Sequence, residues 1–197
     1  MTNHIIGLTG GIATGKSTVA NYLANVYGLP VFDADIYARD AVATGSPILN
    51  AIAQRHGQEI LLADGSLNRS RLGEIIFSHP TERQWLDSII HPYVRDRFVQ
   101  AIHQSSTSTI VLVIPLLFEA QMTDLVTEIW VVTCSELQQL QRLMERSQLT
   151  SEQATARINS QLSLQEKAAK ADFVLDNSGS LADLLKQIDK IIMGNSH

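Results

Sequence analysis

The sequence predicts an α/β chain: a five-stranded parallel sheet flanked by helices, with two helical insertions mounted on it. Three observations carry that expectation. Five short runs rich in apolar or β-branched residues alternate with helix-periodic stretches, a glycine-rich turn joins the first run to the first helix, and two long segments lack any convincing strand pattern.

Ile5-Ile6-Gly7-Leu8-Thr9 is the first strand, apolar and ending in glycines. Thr14 to Tyr27 follows with Val19, Tyr22, Leu23 and Val26 at helical spacing, and Gly28 supplies a stop. Pro30-Val31-Phe32 is a brief second strand running straight into Asp33. Thr109 to Ile114 and Thr127 to Thr133 are β-branched runs of the kind buried on both faces of a sheet. Phe173-Val174-Leu175 is the fifth, closed by the turn-forming Asn177-Ser178-Gly179. Ser180 stands three residues before Asp183 in a capping-box pattern, and Leu181 to Ile192 reads as a closing amphipathic helix. Residues 1–33, 106–135 and 171–197 therefore make the core, 34–105 a helical insertion that holds most of the mid-chain Arg and His, and 136–170 a polar helical one.

Composition removes several classes of function. With 45% apolar residues in 197, the chain buries too much surface to be disordered. Fifteen Lys+Arg against twenty Asp+Glu leave a net charge of −5, which argues against holding long nucleic acid by bulk charge. The single cysteine, Cys134, excludes an internal disulfide and a cysteine-rich zinc site, and reads as a small packed residue at a strand end. The longest apolar run, Ile110 to Phe118, is nine residues with Pro115 inside it, too short to span a membrane. No basic segment followed by an apolar one opens the chain, so the expected location is cytoplasmic.

Gly10-Gly11-Ile12-Ala13-Thr14-Gly15-Lys16-Ser17 matches G-x-x-x-x-G-K-[ST] between a strand and a helix. Glycines let the backbone curl so that successive N–H groups converge on phosphate oxygens, and the helix amino end adds positive potential. Lys16 reaches β- and γ-phosphates, and the Ser17 hydroxyl suits Mg²⁺. Lys16 is also the only Lys or Arg in the first 38 residues. A cation at a helix amino end opposes the helix dipole and so needs an anionic partner. The motif points to a nucleoside triphosphate and leaves kinase, GTPase and ATPase open.

Asp33-Ala34-Asp35 follows the second strand and contains the first two acidic residues of the chain. Ligands of open parallel sheets gather beyond the carboxyl ends of the strands. A carboxylate there either accepts a proton from an attacking hydroxyl or caps the next helix. The strand at Ile110–Ile114 runs into Pro115-Leu116-Leu117-Phe118-Glu119 with no acid at its tip, and no N-K-x-D or T-K-x-D motif reads guanine. Both absences favour a small-molecule kinase over a GTPase or motor ATPase. Arg142 and Arg146, four apart, share a helix face, and Arg157 follows eleven residues later. They either swing over a triphosphate as a lid or belong to a charged face, since five acidic residues balance five basic ones, Lys167 and Lys170 included, between Glu136 and Asp172. None of the six histidines pairs at i, i+4, so no structural metal site is expected, and His91-Pro92 interrupts a helical pattern inside the first insertion. Trp85 and Trp130 read as core residues rather than stacking platforms.

Taken together, these residues resemble the dephospho-coenzyme A kinase family over nearly the whole chain. The resemblance rests on Gly7 to Thr18, on Asp33-Ala34-Asp35 with Arg39, on His91-Pro92, on Val113-Ile114-Pro115-Leu116-Leu117-Phe118-Glu119, and on Asp172 to Gly179. It implies a P-loop kinase core, a coenzyme A-binding insertion over 34–105 and a mobile lid over 136–170. It further implies transfer of the ATP γ-phosphoryl group to the ribose 3′-hydroxyl of dephospho-coenzyme A with Mg²⁺, the final step of coenzyme A biosynthesis. Carried over position by position, Asp33 is the base or hydroxyl-orienting carboxylate. Gly11, Ala13, Thr14, Gly15, Lys16, Ser17 and Thr18 hold phosphates and metal, while Arg142 and Arg146 serve the lid and Arg142 also catalysis. Asp33, Asp35, Arg39, His91 and Glu119 line the acceptor side. The chain departs from the family pattern at Ala168 and Lys170, where relatives often carry arginines and a lysine cannot reproduce a bidentate fork. The expected partners are ATP and dephospho-coenzyme A, without nucleic acid or membrane, in a monomer or small homo-oligomer. A kinase of another small acceptor and an ATP-dependent switch protein are the competing readings.

Overall fold

The structure is a computed structural model that describes residues 4–194. Strand β1 (His4–Gly10) leads through the glycine-rich loop into α1 (Lys16–Tyr27), and β2 (Val31–Asp33) follows. Four helices come next: α2 (Ala34–Ala41), α3 (Pro47–His56), α4 (Arg69–Ser78) and α5 (Pro80–Gln104). The chain then forms β3 (Thr109–Val113) and β4 (Glu128–Thr133), the helices α6 (Glu136–Ser147), α7 (Ser151–Asn159) and α8 (Leu164–Ala168), β5 (Phe173–Asp176) and α9 (Leu181–Gly194). The strands make one parallel sheet in the order β2-β3-β1-β4-β5, so the strand that feeds the glycine loop lies at its centre. Register places Ile6 opposite Val111, Leu8 opposite Trp130 and Val132 opposite Leu175. Among the described residues no helix is long and apolar enough to cross a membrane.

The molecule divides into two compact units, Met1–Phe32 with Gln104–His197, and Asp33–His103. In the first, Ile6, Leu8, Val111, Val113, Trp130 and Val132 from the sheet pack with Val19 and Leu23 of α1 and Leu184 and Ile188 of α9. Burying each such side chain contributes about 1.5–3 kcal/mol. Helices α6, α7 and α8 belong to this unit. The second has its own core of Val42, Leu49, Ile52, Ile60, Leu72 and Leu86. Trp85 packs beside that core with the Arg55 guanidinium 4.6 Å over its ring, whereas Trp130 is fully buried in the sheet unit.

One expectation is corrected here. His91-Pro92 does not break the helix: α5 runs 25 residues with Pro92 inside it. Proline removes one N–H, so the Ser88 carbonyl loses its usual helical partner. The cost is met because α5 is buried on both sides of the proline, by Leu86 before it and by Val94, Phe98 and Ala101 after it, with Phe98 edge-on to Tyr37 at 5.2 Å.

Asp33, Ser46, Asn68, Ser135, Thr150, Ser163 and Ser180 each accept an amide hydrogen bond at the start of the following helix. Helix α1 begins at Gly15 with no side-chain cap and no acidic residue in its first turn.

The far flank of α1 is fixed differently. The hydroxyls of Tyr22 and Tyr27 both donate to Asp189 Oδ1 of α9, at 2.8 and 2.7 Å. Those hydrogen bonds to a carboxylate push the Tyr27 phenol up to about 12, with burial a smaller cause. The folded chain thus holds that proton above the ordinary tyrosine value of 10.0. Its contribution is complete below pH 10 and is lost as pH rises towards 12, because the unfolded chain releases the proton first. Tyr27→Phe is expected to flatten that alkaline loss, measured as urea unfolding midpoints between pH 9 and 12.

Candidate active site

The glycine loop is shaped by its own hydroxyls and carbonyls. Thr14, fully buried, donates its hydroxyl to the Gly11 carbonyl at 3.0 Å. Gly15 adopts φ 103°, a left-handed conformation that glycine permits, and a Cβ there would stand 2.3 Å from Asn177 Nδ2. That amide nitrogen donates to the Thr14 carbonyl at 2.8 Å, so the turn after β5 is fastened to the loop. Ala13 also lies at φ 61°, a strained setting for a residue with a side chain, of the kind that collects at binding sites. Lys16 lies along the loop, its ammonium donating to the Gly10 and Gly11 carbonyls at 3.1 and 2.6 Å. Ser17 is exposed in the first turn of α1, with Thr18 half-buried behind it. An uncapped helix start, a lysine and a hydroxyl converge on one loop, which is the arrangement an anionic phosphate chain requires.

Arg142, on α6, donates through Nη2 to the Asn177 carbonyl at 3.2 Å, and its Nη1 is buried without a hydrogen-bond partner. It therefore reaches the phosphate loop through the same asparagine that holds Thr14. Arg146, one turn further on, is exposed. Cys134 is buried at the end of β4, and burial pushes its thiol up, away from reactive thiolate.

Asp33 is the last residue of β2, and its Oδ1 accepts the Asp35 amide at 2.8 Å. The capping role is thus present, and it occupies one carboxylate oxygen in a fixed orientation. In the second unit Asp35 and Arg39 line a groove of about 350 Å³, together with Arg69 and the apolar Val42, Leu72 and Ile76. Its lining mixes charged with apolar side chains. Arg69 was not legible as a site residue, since nothing in its local sequence distinguishes it from a surface arginine. His91 lies on α5 with Nε2 3.7 Å from Asp87 Oδ1. Glu119 belongs to the first unit, where its Oε1 lies 2.9 Å from Lys167 Nζ and accepts the Leu162 amide at 3.0 Å.

Two residues that the sequence leaves unmarked hold the loop, and a third is buried against Pro115 and Glu119. Gln139, buried on α6, donates to the Ile12 carbonyl at 2.9 Å, and Gln161 accepts the Ile12 amide at 3.0 Å. Lys167, counted above within a solvated charged face, is fully buried. A cavity of about 550 Å³ opens between these elements, lined by Gly11, Gln139, Leu140, Gln161 and Leu164, with Glu136 and Glu166 its charged walls. No lysine or arginine lines it among the described residues, so it offers no side-chain cation to an anionic ligand.

The fold and the loop together define a P-loop kinase. The dephospho-CoA kinase family model matches residues 4–183. A dephospho-CoA kinase of Trichormus variabilis is 74% identical over 189 residues, 96% of each chain. A crystal structure of TT1252 from Thermus thermophilus superposes with a TM-score of 0.85 at 32% identity over 100% of both chains. Dephospho-CoA kinase from Campylobacter jejuni gives 0.71 at 30% identity, over 98% of this chain and 96% of that one. The chain belongs to the dephospho-CoA kinase family, and so to the kinases that carry phosphate to a hydroxyl group.

Proposed function

We propose that the chain transfers the γ-phosphoryl group of Mg·ATP to the ribose 3′-hydroxyl of dephospho-coenzyme A, giving coenzyme A and ADP. The observation that carries this reading is the strained, lysine-bearing loop before an uncapped helix, in a chain of this family. The loop amides of Ala13, Gly15, Lys16 and Ser17 cradle the phosphates and Lys16 neutralises the β- and γ-oxygens. Arg142, held at Asn177, brings positive charge to the nucleotide, and Arg146 reinforces it when the lid approaches. Asp35, Arg39 and His91 orient the acceptor, with Arg69 added to that set by the groove. Asp33 takes the proton of the 3′-hydroxyl as the new O–P bond forms and the bond from γ-phosphorus to the bridging oxygen of ADP breaks.

The exposed Ser17 hydroxyl is a hard oxygen donor, which fits it to Mg²⁺. The ion would supply charge neutralisation across the β- and γ-phosphates. ADP release measured with dephospho-coenzyme A, AMP, shikimate or no acceptor tests the assignment. Stimulation by dephospho-coenzyme A alone is expected, with a product heavier by one phosphoryl group. Equal slow rates in every tube would favour the switch protein.

A further inference from the structure

The peptide unit of Ile12, in the middle of the phosphate loop, is held on both sides by the 136–170 insertion. Its N–H donates to Gln161 Oε1 and its carbonyl accepts from Gln139 Nε2, at 3.0 and 2.9 Å. The approach is close: a Cβ on Gly11 would lie 2.5 Å from Gln139 Nε2 and 2.9 Å from Leu164 Cδ2. A second tie fixes the segment that carries Gln161. The Lys167 ammonium, with no solvent exposure, donates to the Pro115 carbonyl at 3.0 Å and meets Glu119 Oε1 at 2.9 Å. Glu119 Oε1 also accepts the Leu162 amide, next to Gln161, at 3.0 Å. The Pro115 carbonyl in turn accepts the Thr9 hydroxyl at 3.3 Å, so the whole tie is rooted beside β1 where the loop begins.

We propose that Gln161 and Lys167 are positioning residues for the phosphate loop: the Lys167–Glu119 pair fixes residues 161–168, and Gln161 thereby pins the Ile12 peptide, taking its N–H, so that the loop amides that follow it are held facing the phosphates. This rests on the reading of the loop as the ATP site. Displacing residues 161–168 would withdraw the Lys167 ammonium and leave the Glu119 carboxylate, whose Oε2 is already buried without a partner, and the Pro115 carbonyl without their donor, which resists motion more than breaking an exposed pair does. That segment is an anchored base of the insertion, and movement falls to α7, where Ala154 is the only buried residue. The loop needs such support because Ala13 sits in a conformation that persists only when its surroundings over-determine it. Two hydrogen bonds to the adjacent peptide supply that constraint, and a preorganised set of amides binds phosphate without first being ordered.

Gln161→Leu removes the acceptor and keeps the bulk. Its Kd for Mg·ATP is expected to rise about three- to tenfold, the range for one hydrogen bond, with the KM for dephospho-coenzyme A and the Tm nearly unchanged. Amide exchange in residues 10–14 should accelerate alongside it. Lys167→Met alone leaves Glu119 charged, half-buried and without its partner, and endangers folding. The double variant Lys167→Met with Glu119→Leu leaves no lone charge, and it should show the same ATP defect, whereas Lys167→Arg should restore binding. A wild-type Kd and unchanged loop exchange in Gln161→Leu would overturn the proposal. So would a double variant whose Tm falls while its Kd does not move, which makes the pair structural only. Failure of the wild-type chain to bind Mg·ATP would instead overturn the assignment of the loop, and this proposal with it.

Discussion

Asp33→Asn is expected to lower turnover by about 10²- to 10⁴-fold, the range for losing a general base, with ATP affinity nearly intact. Asparagine keeps the shape of the side chain and an acceptor oxygen for the Asp35 amide, so the cap on α2 survives. What disappears is the capacity to take a proton from the acceptor hydroxyl. Single-turnover transfer measured beside an ATP titration separates the two effects, and unchanged turnover would remove Asp33 from the base role. The expected pattern is also distinct from that of a binding residue, because the loss falls on kcat rather than on the KM for ATP.

Lys16→Ala should weaken both ATP binding and rate, with kcat falling about 10²- to 10³-fold. No other Lys or Arg occurs before Arg39, so no neighbour in the strand–loop–helix segment replaces the lost charge. Its ammonium already lies over the Gly10 and Gly11 carbonyls, within the loop that would surround the phosphates. Isothermal titration with Mg·ATP and steady-state kinetics check the two parts. A variant that bound ATP normally would return Lys16 to the role of a solvated lysine.

The sheet and the loop were legible in the sequence because their signals are local. Apolar runs such as Ile5–Thr9 and Thr109–Ile114 announce buried strands, and the eight-residue motif fixes glycines, lysine and serine at set intervals. The helices of residues 34–103 were legible as a class, and Pro92 was misread because the rule for proline is local while the packing that tolerates it is not. The support around the loop was hidden for the same reason. Gln139, Gln161 and Lys167 sit in a polar stretch, and composition assigns such residues to solvent. Their placement depends on distant partners: Ile12 lies 127 positions from Gln139 and 149 from Gln161, and Pro115 and Glu119 lie 52 and 48 from Lys167. A faint signal did exist: Gln139 and Leu143 are four apart on α6 and face inward together. Glu119 was visible as part of a motif, but its neighbours were not, and the neighbours define its setting.

The bare start of α1 has a consequence for the chain's persistence in a cell. Seven other helices carry a side-chain cap of their own, supplied once the chain has folded. Helix α1 is finished only by what binds at its mouth, which makes the nucleotide a conditional part of the protein's own architecture. A ligand at a hundred times its dissociation constant adds about 2.7 kcal/mol to the folded state. Starved of nucleotide, the enzyme would lose thermal tolerance and resistance to proteolysis along with its co-substrate, so its abundance would follow the energy state of its surroundings.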